Sequence, residues 1–129
     1  MGLVRILIVD DHELVRRGLR SILGTRPEWE ICGEAADGSD AIEKARDLRP
    51  DVVLLDITMP RMNGLDAARI IRRDVPRAKV IIVSQYEGSE MRAKALEAGA
   101  QGYVSKSDAA RQLLIAIESL ISNHNPSLA

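Results

Sequence analysis

The chain has 129 residues, 46% of them hydrophobic, and sets 18 Lys and Arg against 19 Asp and Glu for a formal charge of −1. That length and apolar content suit one folded domain with a substantial core and exclude a disordered chain. The charge balance argues against a dedicated nucleic-acid surface. Only Trp29, Tyr86 and Tyr103 are aromatic and Phe is absent, so the core is expected to be built from Ile, Leu, Val, Ala and Met. The single Cys32 cannot form an internal disulfide, which fits a reducing compartment. Set within "EICGEA", it reads as an inert packed residue. The N-terminal "MGLVRILIVDD" has no cationic region ahead of a long apolar one, and no run reaches the roughly 18 apolar residues of a membrane span. The expectation is a soluble, cytoplasmic domain with no membrane partner.

The first predicted strand is Val4–Val9, whose apolar Ile6 to Val9 run directly into two adjacent carboxylates, Asp10 and Asp11. The simplest reading of that pair is a helix N-cap beside a solvated neighbour, since Asp is a preferred cap. Leu14, Val15, Leu19, Ile22 and Leu23 then recur at helical spacing, with His12 read as a solvated first-turn residue. A second strand, Glu30–Ala35, is the least apolar. A helix follows on Ala41, Ile42, Ala45 and Leu48, then a third strand, Val52–Leu55. Asn63 is the expected N-cap of a helix carrying Leu65, Ala68 and Ile71. The fourth strand is Lys79–Val83, and Gly99 after "ALEA" is an expected C-cap ahead of the fifth strand, Gly102–Ser105. Ser107 is the expected N-cap of a last helix on Leu113, Leu114, Ile117, Leu120 and Ile121. The domain is therefore placed at residues 1–121, with the aperiodic 122–129, "SNHNPSLA", as a terminus or the start of a linker.

Five strands alternating with five helices predict an α/β fold, a parallel sheet with helices on both faces and right-handed crossovers. "ILIV", "VVLL" and "VIIV" are apolar throughout, as strands covered on both sides must be. The polar second strand belongs at an edge, which gives the flavodoxin-like order 2-1-3-4-5. Ligands of such sheets bind beyond the carboxyl ends of the strands. There the central strands deliver Asp10 and Asp11, Asp56, Ser84 and Lys106, while the edge strand delivers Asp37 and Gly38. Three carboxylates gathered this closely need a cation. Without a Cys or His cluster zinc is disfavoured, and a few carboxylates with room for water suit Mg²⁺. The added Lys106 points to a phosphoryl anion beside the metal, with Ser84 as a hydrogen-bond donor to it. No P-loop and no G-x-G-x-x-G occurs, so the nucleophile is sought in the protein, and Asp56 is the carboxylate left free to form an aspartyl phosphate.

"ILIVDDHELVRRGL", "PDVVLLDITMPRMNGLDAARII", "VIIVSQYEG" and "ALEAGAQGYVSK" together resemble the receiver domain of two-component response regulators, CheY-like in fold, from Arg5 to about Ile121. The histidine after the acidic pair and the "LVRRGL" helix resemble the NarL/FixJ subfamily, whose output is a LuxR-type helix-turn-helix. The resemblance implies that Asp56 is the phosphoacceptor and that Asp11, Asp56 and the backbone carbonyl of Thr58 bind Mg²⁺, with Asp10 acting through water. It implies that Ser84 and Lys106 contact the phosphoryl oxygens and that Ser84 and Tyr103 form the switch, Tyr103 turning in from solvent when Ser84 is drawn to the phosphate. It further implies a sensor histidine kinase as phosphodonor, homodimerisation on phosphorylation, and control of transcription through a DNA-binding domain beyond this chain. Two departures stand out: Ser84 where Thr is frequent, and Ser107 after Lys106 where Pro is common. A cis bond at a non-proline residue costs roughly 2.5–4 kcal/mol and is not expected there.

Two other readings meet obstacles in the residues. A phosphatase with an aspartyl nucleophile needs a second acid two residues later, where this chain has Thr58. A receiver-like interaction module independent of phosphorylation is expected to lack an acid or the lysine, and here none is missing.

Overall fold

The structure is a computed structural model and is described for residues 3–122. Five strands, β1 (Val4–Val9), β2 (Trp29–Ala35), β3 (Val52–Leu55), β4 (Lys79–Ser84) and β5 (Gly102–Ser105), form one sheet in the order β2-β1-β3-β4-β5. All four pairings are parallel. The helices are α1 (Glu13–Leu23), α2 (Gly38–Leu48), α3 (Gly64–Asp74), α4 (Ser89–Glu97) and α5 (Ala109–Ser122), the last preceded by a 3-10 turn at Lys106–Asp108. The architecture and strand order are those the sequence predicts. β2 begins one residue earlier than expected, and β4 takes in Ser84.

Alternation along the central strands divides the core into two layers. Leu7, Val9, Val53, Leu55, Val80 and Ile82 face α2, α3 and α4, where Ala41, Ala45, Ala67, Ala68, Ile71 and Ala95 meet them. Ile6, Ile8, Val52, Leu54, Ile81 and Val83 face α1 and α5, against Leu19, Leu23, Leu113 and Ile117. The small alanines let α2 and α3 lie close on one side, and the larger aliphatics fill the other. Burying one Leu or Ile side chain contributes about 1.5–3 kcal/mol, so these two layers supply most of the drive to fold. The β1–β2 register shifts between Ile6, opposite Ile31, and Leu7, opposite Gly33, which leaves Cys32 as an extra residue in β2.

The predicted caps hold at two of four places. Asn63 accepts the Asp66 amide at 3.0 Å, as an N-cap does. Gly99, with φ +99°, follows the C-cap Ala98, and the bonds Gly99 N–H to Leu96 O and Ala100 N–H to Ala95 O close a Schellman motif. Ser107 is not an N-cap: it lies inside the 3-10 turn, and its hydroxyl pairs with Ser105 Oγ at 2.9 Å. Neither Asp10 nor Asp11 caps α1, because the cap position falls on His12. Leu14, expected on the buried face of α1, is 75% exposed. The Lys106–Ser107 peptide is trans. The proposed tail lies outside the described residues except for Ser122, which closes α5.

Candidate functional site

The carboxyl ends of the central strands converge. Asp10 follows β1, its amide bonded to Ala35 O of β2 at 3.0 Å, and it is only 1% exposed. Asp56 follows β3, its amide bonded to Val9 O at 3.0 Å, and it is 4% exposed. Extending the ladder by these bonds sets the two carboxylates beside each other at the point where the strand order reverses. Lys106, directly after β5, reaches both: Nζ lies 2.9 Å from Asp10 Oδ2 and 3.4 Å from Asp56 Oδ1. Ser84 ends β4 with its side chain buried. Thr58 stands two residues beyond Asp56 in the exposed loop to α3.

That loop is pinned hard against Asp56. Gly64 N–H donates to Ile57 O at 2.7 Å, and Ile57 N–H donates to Asp56 Oδ1 at 2.9 Å. A Cβ at position 64 would lie 1.9 Å from the Asp56 carbonyl oxygen, so only glycine lets α3 start this near the carboxylate. The "MNG" of the sequence thus supplies a cap and a close approach in three residues.

Burial pushes the Asp56 carboxyl up from its ordinary range, and the charge of Asp10 adds to the rise, against a partial offset from Lys106. Burial alone would lower Lys106, but its bond to Asp10 and the charge of Asp56 hold it above the usual lysine value. Two carboxylates, Asp10 and Asp56, share this one ammonium, so the pocket is net acidic. Asp11 Oδ1 is closed off from water and accepts no hydrogen bond of good geometry, although His12 Nδ1 stands 3.0 Å away. A shielded, unsatisfied carboxylate oxygen beside a second carboxylate is what a cation would complete. The residues therefore fit a divalent metal. Asp10, Asp11 and His12 offer ligand atoms within 4.8 Å of one another. The His12 side chain is exposed, as the sequence suggests, but its ring leans on both carboxylates.

Ser84 and Tyr103 are brought together through a residue the sequence did not single out. Ser84 Oγ accepts the Tyr86 amide at 3.1 Å, and the Tyr103 hydroxyl donates to Tyr86 O at 2.6 Å. Tyr103 is already turned inward, 8% exposed, which corrects the expectation that it faces solvent until phosphate arrives. Its ring packs with the α2–α4 layer and is covered by the Arg92 guanidinium at 4.8 Å from the centroid. A second unforeseen group is Arg16, which reaches from α1 to the backbone carbonyl of Asp10. Cys32 is half-buried, and burial pushes its thiol up, in keeping with an unreactive packed residue.

Comparison with known proteins decides the family. Residues 6–118 match the response regulator receiver domain. The chain belongs to that family. Over 105 residues, 80% of its length, this receiver domain is 50% identical to a protein-glutamate methylesterase/protein-glutamine glutaminase of Pyrococcus abyssi, of which it spans 28%. It is 36% identical over 122 residues to the response regulator protein VraR of Staphylococcus saprophyticus, covering 95% of this chain and 58% of VraR. The chain thus spans less than two thirds of the curated relatives it matches. Among solved structures it superposes on a LuxR-family two-component response regulator from Aurantimonas with a TM-score of 0.89 and 39% identity, over 95% of this chain and 87% of that one. The response regulator domain of Thermotoga maritima CheB gives 0.87 and 33%, over 96% and 99%. It is a response regulator receiver domain close to the LuxR and NarL type. Among the described residues no helix is long and apolar enough to cross a membrane.

Proposed function

We propose that this receiver domain accepts a phosphoryl group from a sensor histidine kinase on Asp56. The observation that carries the reading is the placement of Asp56: it follows β3 buried, shares the Lys106 ammonium with a second carboxylate, Asp10, and has the loop to α3 pinned against it. An Asp56 carboxylate oxygen attacks phosphorus, the phosphorus–nitrogen bond to the donor imidazole breaks, and the leaving nitrogen takes a proton. An acyl phosphate remains on Asp56. Lys106 Nζ and the Ser84 hydroxyl are placed to bind the new oxygens, Lys106 by exchanging its pairing with Asp10 and Asp56 for the phosphoryl group. Asp11, Asp56 and the Thr58 carbonyl would hold Mg²⁺, with Asp10 acting through water. A metal held there would supply positive charge against the carboxylates and the incoming phosphoryl group.

The domain promotes only its own phosphorylation and dephosphorylation and is not otherwise an enzyme. Phosphate biases Ser84, Tyr86 and Tyr103 towards one arrangement of the surface around α4, β5 and α5, and favours homodimerisation. The output is transcription, exerted in the cytoplasm through a helix-turn-helix domain. Supporting this are VraR and the LuxR-family structure, which the chain matches along most of its own length. The similarity to a methylesterase supports a second output, enzymatic and outside the receiver.

Incubation with acetyl phosphate and Mg²⁺, followed by mass mapping, tests the acceptor. The expected result is one phosphoryl group on Asp56, absent from Asp56→Asn and absent without divalent metal. Undiminished labelling of Asp56→Asn refutes the assignment.

A further inference from the structure

We propose that Arg16 is a positioning residue for the acidic pair: its guanidinium fixes the Asp10–Asp11 peptide and thereby aims Asp11 at the cation site. The inference rests on the metal reading above and adds a residue from "LVRRGL" that the phosphoryl chemistry does not use.

Each nitrogen of Arg16 has its own partner. Nη1 donates to the Asp10 backbone carbonyl at 2.6 Å, Nε to Glu34 Oε1 at 2.9 Å, and Nη2 to Glu13 Oε2 at 2.6 Å. The side chain is 16% exposed, so these bonds form where water competes little. The Asp10 carbonyl stands where β1 ends and no neighbouring strand donates to it. A buried carbonyl there needs a donor, and Arg16 supplies it. That carbonyl belongs to the peptide joining Asp10 to Asp11, so fixing its plane fixes the direction in which Asp11 leaves the backbone. Two further bonds complete the clamp: Asp10 N–H to Ala35 O at 3.0 Å, and His12 N–H to Asp10 Oδ1 at 2.9 Å. The turn is held on the near side by β2, on the far side by its own carboxylate, and from above by Arg16. Asp11 is the one carboxylate of the three whose side chain Lys106 does not touch; beyond the exposed His12 ring at 3.0 Å, its aim depends on the backbone.

Arg20 is a natural control. It shares both acids, with Nη1 2.7 Å from Glu34 Oε2 and Nη2 3.0 Å from Glu13 Oε1, and so ties α1 to β2 in the same way. It does not bond Asp10. Its loss removes an equal charge from the same network and leaves the peptide clamped.

Charge and positioning predict opposite signs. A guanidinium near an acidic pocket repels a cation, so removing it for charge alone strengthens metal binding. Removing a group that aims a ligand weakens binding, by roughly tenfold in outer-shell substitutions. Lysine keeps the charge but cannot reproduce three bonds in a planar fork.

The test is Mn²⁺ binding followed by electron paramagnetic resonance and competed with Mg²⁺, on the parent, R16Q, R16K and R20Q, each checked for folding by circular dichroism. R16Q and R16K are expected to bind roughly tenfold more weakly, and R20Q within about twofold of the parent, as independent sites behave. With acetyl phosphate, R16K is expected to need more Mg²⁺ for half-maximal labelling and to reach the parent's plateau. Should position 16 tolerate no change, E34D, which keeps the charge and draws the carboxylate back from Arg16 Nε, is expected to weaken Mn²⁺ measurably. Unchanged or tighter binding by R16Q, or by E34D where that variant carries the test, overturns the proposal. So does an equal loss in R20Q, which would make the role that of a helix anchor. A parent that binds no Mn²⁺ overturns the metal reading itself, and the proposal with it.

Discussion

The hydroxyl of Tyr103 donates to the backbone carbonyl of Tyr86 at 2.6 Å, and the amide of the same Tyr86 is held by the Ser84 hydroxyl at 3.1 Å. One residue thus carries both halves of the proposed switch on its two peptide faces. A Ser84 hydroxyl drawn to phosphate must pull on that amide, and the pull passes to the carbonyl that holds the tyrosine. Ser84→Ala is expected to accept phosphate more slowly and to transmit it badly. Chemical shifts of residues 86–106 with and without beryllofluoride check this, and the parent's full set of shifts in the variant would refute the coupling.

Arg92 covers the inward ring. A cation over a tyrosine face contributes about 0.5–1 kcal/mol at an exposed site, so Arg92→Ala is expected to shift the Tyr103 population outward by a few-fold. Nitration by tetranitromethane, mapped by mass spectrometry, reports the exposure of Tyr103 against Tyr86. An unchanged ratio would show that the guanidinium only rests there.

The raised carboxyl of Asp56 makes stability depend on pH. A carboxyl whose folded value lies above its unfolded one binds its proton more tightly in the folded chain. Its contribution is complete in acid, below the unfolded value of about 4, and is lost as pH rises through the raised folded value. At neutral pH the ionised Asp56 therefore costs the metal-free protein stability. Asp56→Asn in EDTA is expected to melt above the parent at pH 7, with the gap closing on acidification, while Lys106 keeps Asp10 at 2.9 Å. A lower melting temperature for the variant at pH 7 would contradict it.

Gly64→Ala puts a methyl group 1.9 Å from the Asp56 carbonyl oxygen, and backbone rather than a flexible side chain must move. Overpacking of this kind costs about 1–3 kcal/mol. Several degrees of melting temperature should be lost, together with much of the acetyl phosphate labelling. Calorimetry and labelling in parallel check both, and a normal melt with normal labelling would show that α3 yields without disturbing Asp56.

What the sequence made legible was whatever local pattern or strand position determines. Continuous apolar runs mark β1, β3 and β4, and the position at or just beyond each strand's carboxyl end marks Asp10, Asp56, Ser84 and Lys106. Groups that act across long separations escaped it. Glu34 looked like a mark of an edge strand, and only the folded chain shows that it receives Arg16 and Arg20 from α1. Arg92 and Tyr86 matter through a ring and a backbone carbonyl, neither of which leaves a trace in residue type. Leu14 satisfied the helical period yet faces water, since spacing fixes a stripe but not its edges. Ser107 had the right side chain for a cap and lost the role to the 3-10 turn that delivers Lys106.

The extra Cys32 in β2 works as a change of parity. Trp29 and Ile31 pack with the α1–α5 layer, yet Ala35, four residues beyond Ile31, packs with the α2–α4 layer. Simple alternation from Ile31 would have sent Ala35 to the first side and Glu34 to the second. With the additional residue, Glu34 falls opposite Ile8 and on the side of the two arginines. Length in this strand is therefore as constrained as chemistry. Exchanging Cys32 for another small apolar side chain leaves the count intact, whereas deleting a single residue here transposes the strand's two sides, burying a carboxylate among alanines and stranding the arginines that depend on it.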